Sequence, residues 1–429
     1  MVPLPILGTR ARNGTARAPL AFFPVPVRDP RSVLVVGAGP AGTACAITLA
    51  DAGHAVTVVD KAVFPRDKCC GDGLTTNALR VLEHLGFDPA TVPDWSVSHD
   101  LELRSPDGRT ISLYLPRGSG TFAAIAPRAQ LDAALVALAR SRGVTVHEGA
   151  AFVDVVRNDS DAVVVSVEGL GDITVDHVVA ADGMWSPVRR ALGLGQPGQL
   201  GEWHAFRQYI GNVTGTAAHR LHIWFDPDLL PGYAWSFPLP GNRANFGFGM
   251  LRTEGRSMKF MNDVWADLLT RPHIVGAFGA GFVPQDRHTA WPIPARIDHA
   301  VRSSGRVLFV GDAVAATDVL TGEGIGQALE TGIAAARAID VAHDPAGVRA
   351  AYSRSIDSML LADHRMSVAL SRLMSYPTVA RFVLRLVDTN DWTRRNFARW
   401  MFEDEARAVV FTPRRWHRGF LARPGAYRR

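Results

Sequence analysis

The stretch FPRDKCCGDGLT, residues 64–75, sets two adjacent thiols, Cys69 and Cys70, beside a charged cluster and two glycines. A thiol can donate a proton, act as a nucleophile or join a redox pair. Gly71 and Gly73, on either side of Asp72, would let the backbone approach a ligand closely because they carry no Cβ. Upstream, Gly37, Gly39 and Gly42 fit the spacing G-x-G-x-x-G, and Asp60 follows 18 residues after Gly42. That pattern suits a dinucleotide. The glycines give a tight turn, close approach to a pyrophosphate and close helix packing, and the acid accepts from ribose hydroxyls.

These residues need a frame. Val33 to Val36 reads as a buried strand, Ala41 to Ala52 as an Ala-rich helix and Val56 to Val59 as a second strand, which together make one βαβ unit. The phosphate would sit on the helix N-terminus, where free N–H groups and the dipole favour anions. Further on, TTNALRVLEHLG reads as a helix, LELRSPDGRTISLYL as a hairpin and PRAQLDAALVALARSRG as a helix ended by Gly143. From about Trp203 to Pro294 the chain turns β-rich. There Trp235, Phe237, Phe246 and Phe248 alternate, which puts pairs on one face of a sheet. The remainder returns to strand, turn and helices.

At 429 residues the chain exceeds the ~250–300 at which a single core stops growing, so two lobes are expected. No apolar run is long enough to span a membrane. Three cysteines and an N-terminus without a secretory pattern indicate the cytoplasm, with Cys45 as core packing. The net charge of +5 is a property of the tail: residues 394–429 carry +7, which leaves −2 on residues 1–393. Trp392, Phe397, Trp400 and Phe411 stand among those arginines, a composition suited to an anionic bilayer surface. No nucleic-acid motif, metal-ligand spacing or Ser-His-Asp nucleophile motif accompanies them.

The dinucleotide fingerprint, AADGMWSPVRRALG and VLFVGDAVAATDVLTGEGIGQALETG together resemble the flavoprotein monooxygenase superfamily of the para-hydroxybenzoate hydroxylase type. Within it, FPRDKCCGDGLT and PGYAWSFPLPGNRANFGFGML resemble the geranylgeranyl reductase branch. The resemblance implies FAD as cofactor, with NADH or NADPH as transient electron donor. It implies that Gly37, Gly39, Pro40, Ala41, Gly42, Asp60 and Lys61 hold the ADP half. Arg128, Asp182, Gly183, Gly311, Asp312, Gly322, Gly324 and Ile325 would serve the rest, with the start of a helix, Thr321 to Gly326, under the flavin edge. Cys70 is the catalytic candidate, since an isolated alkene accepts hydride poorly unless a proton arrives at its other carbon. Gly71, Gly73, Trp235 and Phe237 would line the substrate space. Arg66 and Lys68 would neutralise phosphate or shape the entrance.

The expected fold is α/β: a discontinuous Rossmann-like FAD-binding domain (32–95, 123–200, 300–345), an inserted mixed-sheet substrate domain (96–122, 201–299), and C-terminal helices with a basic tail (346–429). Residues 1–31 are expected to be a disordered extension. The expected activity is saturation of isoprenoid double bonds, with menaquinone or a geranylgeranyl lipid as substrate and membrane contact through the tail. A flavin-dependent hydroxylase or halogenase is the alternative, and the oligomeric state is left open.

Overall fold

The structure, a computed structural model, describes residues 30–195, 200–413, 416 and 422–428. The extension expected over 1–31 lies outside these residues except at its end. There Arg31 belongs to the fold: its backbone N–H donates to His54 Nδ1 at 3.1 Å, and its guanidinium donates to the carbonyls of Ile339 and Ala342.

The first sheet has six strands in the order Ser303–Ser304, Val307–Phe309, His177–Ala180, Ser32–Val36, Ala55–Asp60 and Thr145–Glu148. All pairs are parallel except the first. Val33 to Val36 form a continuous apolar run because the strand is covered on both faces. Each such buried side chain contributes roughly 1.5–3 kcal/mol. The Pro40–Asp51 helix starts with Gly39 as N-cap and Pro40 in its first turn, where a missing N–H costs nothing. Helix Ile325–Val341 lies directly against it: a Cβ on Gly332 would stand 2.1 Å from the Ala41 carbonyl oxygen, so the two backbones touch.

The second sheet has seven strands: Val283–Ile293, Trp203–Gly211, Arg243–Leu251, Tyr233–Leu239, Leu221–Trp224, Asp100–Arg104 and Thr110–Tyr114. The segment read from sequence as simply β-rich also contains two helices, Met258–Leu268 and Pro272–Phe278. Ser257 caps the first by accepting from Phe260 N–H, and Pro272 starts the second. Met261, Trp265, Ile274 and Phe278 seal one face of the sheet over Phe206, Phe246 and Phe248. The other face is left for the site.

Register explains the split. Trp235 pairs with Gly247 and Phe237 with Asn245, whereas Phe246 pairs with Ser236 and Phe248 with Ala234. Directly paired residues share a face, so Trp235 and Phe237 lie opposite to Phe246 and Phe248. A Cβ on Gly247 would stand 2.3 Å from Trp235 Cζ2, so that glycine is the room in which the indole lies.

Helices Pro345–Ile356, Ala362–Met374, Pro377–Val387 and Asp391–Met401 complete the chain. Part of the basic tail, expected at a membrane surface, is instead paired within the fold. Arg399 pairs with Asp404 at 2.5 Å and donates to the Arg423 carbonyl at 2.6 Å; Arg407 pairs with Glu403 at 2.8 Å. Ala426 bridges to Thr121 and packs into the core around the first sheet. Burying a guanidinium demands such partners.

Candidate active site

A cavity of about 1290 Å³ lies between the two sheets and the C-terminal helices. Of the individual residues that the resemblance names for cofactor, catalysis or substrate, only Gly42 is absent from its wall. A Cβ at Gly42 would meet the Gly37 carbonyl oxygen at 1.9 Å, so this glycine serves helix packing. The rest converge, including Pro40, Ala41, Lys61 and Ile325.

One end is a cradle for a dinucleotide. Gly37 has φ +105°, and a Cβ there would strike the Ala181 carbonyl oxygen at 2.3 Å. The space beside Gly39 is open and flanked by cations: its Cβ position is 3.6 Å from Arg66 Nη2 and 4.0 Å from Arg128 Nη2. Two guanidinium groups at a helix N-terminus are what a pyrophosphate requires. Asp60 accepts from Ala38 N–H and Ala62 N–H, both at 2.8 Å, so it braces the glycine turn as well as facing the cavity. Arg128 is held along its own helix by a bidentate pair with Asp132 at 2.8 and 2.7 Å, and Arg66 shares that carboxylate at 3.0 Å. Burial works against the Arg128 charge, but Asp132 more than offsets it.

Asp182 Oδ2 accepts from Ser186 Oγ at 2.9 Å and Val188 N–H at 3.0 Å, while its buried Oδ1 has no partner. Burial pushes this carboxyl up to about 6. An unpaired acceptor on the cavity wall suits the hydroxyls of a bound cofactor. Gly311, at φ +60°, donates its N–H to Thr331 Oγ1 at 2.9 Å and turns the chain so that Asp312 faces the cavity. Helix Ile325–Val341 begins later than expected, with Thr321 to Gly324 forming a turn. One N–H of its first turn is already taken, since Gly326 donates to Glu323 Oε1 at 2.7 Å. These observations fit FAD.

The other end carries the thiols. Cys70 Sγ accepts from Asp72 N–H at 3.3 Å, and burial pushes the thiol up to about 11, which favours the neutral thiol over the thiolate. Asp72 is fully buried with φ +62° and organises the loop. Its carboxylate accepts from Tyr209 OH and Asn245 Nδ2, each at 2.7 Å, and from Arg128 N–H at 3.1 Å. Asn245 also donates to the Cys70 carbonyl at 2.9 Å and accepts from Trp235 Nε1 at 3.1 Å. Burial, opposed by Arg207, Tyr209 and Asn245, lifts Asp72 to about 6.

Gly71 and Gly73 differ from expectation. A Cβ on Gly71 would lie 3.2 Å from Phe237 Cε2, and one on Gly73 would lie 2.9 Å from the same atom. They make room for the sheet's aromatic rings, besides bordering the cavity. Cys69 donates to the Thr289 carbonyl at 3.5 Å, and Lys68 Nζ lies 3.8 Å from the Trp291 ring centroid. Tyr209, Asn245 and Tyr233 went unranked in the sequence. Tyr233 stands two residues before Trp235, and that alternation would have found it; its hydroxyl donates to the Thr321 carbonyl.

Beyond the aromatics the wall is aliphatic and aromatic, from Met366, Leu370, Leu373, Val383, Phe397 and Trp400. Phe397 and Trp400, expected on a lipid-facing tail, therefore serve the cavity.

A dinucleotide cradle opening onto an apolar chamber defines a flavoprotein oxidoreductase. The family described as an FAD binding domain matches residues 31–343. The chain belongs to it, and within it to the geranylgeranyl reductase family of FAD-dependent oxidoreductases. A menaquinone reductase of Mycobacterium tuberculosis is 35% identical over 73% of this chain and 78% of its own. A digeranylgeranylglycerophospholipid reductase of Methanoculleus marisnigri is 29% identical over 71% of this chain and 75% of its own. The solved structure of a geranylgeranyl bacteriochlorophyll reductase-like protein of Thermoplasma acidophilum shares the fold, with a TM-score of 0.73 at 18% identity over 90% of this chain and 100% of that one.

Proposed function

We propose that this protein saturates a double bond in the prenyl chain of menaquinone or a geranylgeranyl lipid, with NADH or NADPH as electron source. The observation that carries the reading is the continuity of one cavity from the Gly39 cradle, past Cys70, to the apolar wall of the C-terminal helices. A polyisoprenoid is long, apolar and free of ionisable groups, and such a wall removes it from water favourably. The names of the curated relatives support the same substrate class.

FAD, when bound, supplies the hydride. The chain's own residues do the rest. Gly37, Gly39, Arg66 and Arg128 bind and neutralise the diphosphate. Asp182 and Asp312 accept hydroxyl hydrogen bonds. Trp235, Phe237 and Tyr233 position the alkene and exclude water. Cys70, held by Asp72 and Asn245, carries the proton for the second carbon.

Membrane contact is part of the reading, but through a different face from the arginine tail. Leu373, Phe382 and Leu386, on the two helices that border the cavity, and Tyr376 between those helices are exposed beside Arg372 and Arg381. Trp392 and Phe411 are exposed as well. Among the described residues no helix is long and apolar enough to cross a membrane.

The test is mass spectrometry of polyprenyl quinones and prenyl diphosphates incubated with purified protein, FAD and each reduced nicotinamide, with and without oxygen. Gain of two hydrogens regardless of oxygen is expected. Gain of an oxygen atom, only in air, would replace the reading with a hydroxylase.

A further inference from the structure

If the prenyl reductase reading holds, each turnover consumes a proton inside a chamber whose mouth the lipid itself fills. The structure contains a second opening. Behind the Thr321–Gly324 turn lies a polar cavity of about 610 Å³, with the exposed residues His84, Arg337 and Arg423 on its wall. Gln327, Glu403 and Arg407 also line it, while Glu323 of the same charged cluster lines the substrate cavity. The cluster is therefore a partition between the two.

Its composition is unbalanced: Asp318, Glu323 and Glu403 surround one guanidinium, Arg407. Arg407 Nε lies 3.2 Å from Asp318 Oδ2, and Nη2 donates to Glu403 Oε1 at 2.8 Å and to Thr321 Oγ1 at 2.9 Å. Ser367 Oγ donates to Asp318 Oδ2 at 2.6 Å, and Gln327 Nε2 donates to Glu403 Oε1 at 3.1 Å. Like charges confined together cannot all ionise, so the group holds a proton. Three buried atoms of the cluster are left without a hydrogen-bond partner: Gln327 Oε1, an acceptor, and Arg407 Nη1 and Nε, donors, the last within ion-pair distance of Asp318. Gln327 is 7% exposed and Arg407 2%, and such a pair is provision for water. Glu403 adopts φ +55°, a left-handed backbone that is costly for any residue with a Cβ.

We propose that Glu403, Gln327 and Glu323 form a proton inlet, carrying a proton from the polar cavity through the partition to the substrate chamber. The hydride brings one electron pair and forms the first C–H bond. The alkene π electrons form the second with the proton released as the Cys70 S–H bond breaks, which leaves a thiolate. The inlet restores it: the Glu323 O–H bond breaks, Cys70 S–H reforms through water, and Glu323 is reloaded from the Glu403 side. Burial, reinforced by the Glu403 charge and the more distant Asp318 and opposed by Arg407, pushes Glu323 up to about 8. Cys70 stands at about 11, so transfer to its thiolate runs downhill. Tyr233 also faces the cluster, kept neutral by burial.

The experiment uses the full-length FAD-loaded enzyme with a prenyl quinone and compares wild type with Glu323→Gln and Glu403→Gln. Pre-reduced enzyme given one equivalent of alkene should complete its first turnover at the wild-type rate in Glu403→Gln. Steady-state turnover should fall at least about tenfold. Infrared spectroscopy at neutral pH should show a protonated-carboxyl band that Glu323→Gln abolishes. A steady-state rate within about twofold of wild type in both variants, a slowed first turnover in Glu403→Gln, or a band that survives Glu323→Gln would overturn the inlet. Wild-type enzyme that reduces no prenyl alkene would instead sink the functional reading, and the infrared band alone would then decide the proton store.

Discussion

A single methyl group at Gly37 separates backbone strain from steric displacement at the flavin cradle. Gly37 and Gly183 both have positive φ, +105° and +81°, so alanine at either position adopts a disfavoured backbone. That costs roughly 1–2 kcal/mol. Their surroundings differ. A Cβ at Gly183 meets nothing within 4 Å, whereas one at Gly37 stands 2.3 Å from the Ala181 carbonyl oxygen and 2.7 Å from its carbon. Those atoms are backbone and cannot rotate away. Overpacking of this kind adds about 1–3 kcal/mol, so Gly37→Ala should cost roughly 2–5 kcal/mol in total. The displaced segment leads into Asp182, so the same methyl pushes apart two walls of the cofactor site. If about 1.4 kcal/mol of the cost falls on the bound geometry, FAD affinity drops tenfold. Urea denaturation of the apoprotein and flavin-fluorescence titration measure the two effects. Equal losses for Gly37→Ala and Gly183→Ala, or wild-type FAD affinity in Gly37→Ala, would refute the steric argument.

Replacing Cys70 by Ala should slow alkene reduction at least about tenfold while leaving flavin reduction by the nicotinamide unchanged, as read by stopped-flow absorbance; an unchanged alkene rate would retire the thiol. Gly247→Ala should drive the Trp235 ring into the cavity and raise KM for prenyl substrate more than it lowers kcat. Asp182 has its folded value raised from 3.8 to about 6, so its contribution to stability is full below 3.8 and is lost as pH rises through 6. Asp182→Asn should flatten that decline in apoprotein melting curves, and an unaltered slope would show that the carboxyl is not protonated in the fold. The pair Phe382→Glu and Leu386→Glu should abolish co-sedimentation with anionic vesicles yet leave turnover in detergent intact; undiminished vesicle binding would place the docking face elsewhere.

What could be read from the chain alone was local. The Ser32–Val36 strand, the glycine turn, the Pro40–Asp51 helix and Asp60 are fixed by neighbours within about thirty residues, and each has a mechanical signature. Cys70, Trp235 and Phe237 were legible as residue types. Their arrangement was not, because it depends on Gly247 opposite Trp235 and on Asn245 reaching back to Asp72, contacts between distant strands. The helices Met258–Leu268 and Pro272–Phe278 were masked by the aromatic strands around them. The partition around Glu323 had no local signal, since Arg407 reads as one arginine among many in a basic tail.

That remote pairing governs when the protein becomes an enzyme. Thr75, next to the cysteine loop, donates to Glu403 at 3.3 Å across 328 residues of chain, and Arg407 reaches Thr321. A polypeptide emerging from the ribosome presents its glycine turn early, while the floor of its reaction chamber waits for residues 403–407. Contacts of such separation close slowly. Truncation between Val341 and Glu403 would therefore keep the strands and helices around the glycine turn and remove the contacts of Glu403 and Arg407 with Thr75 and Thr321, so the helices after Val341 act as a completion signal as much as a wall.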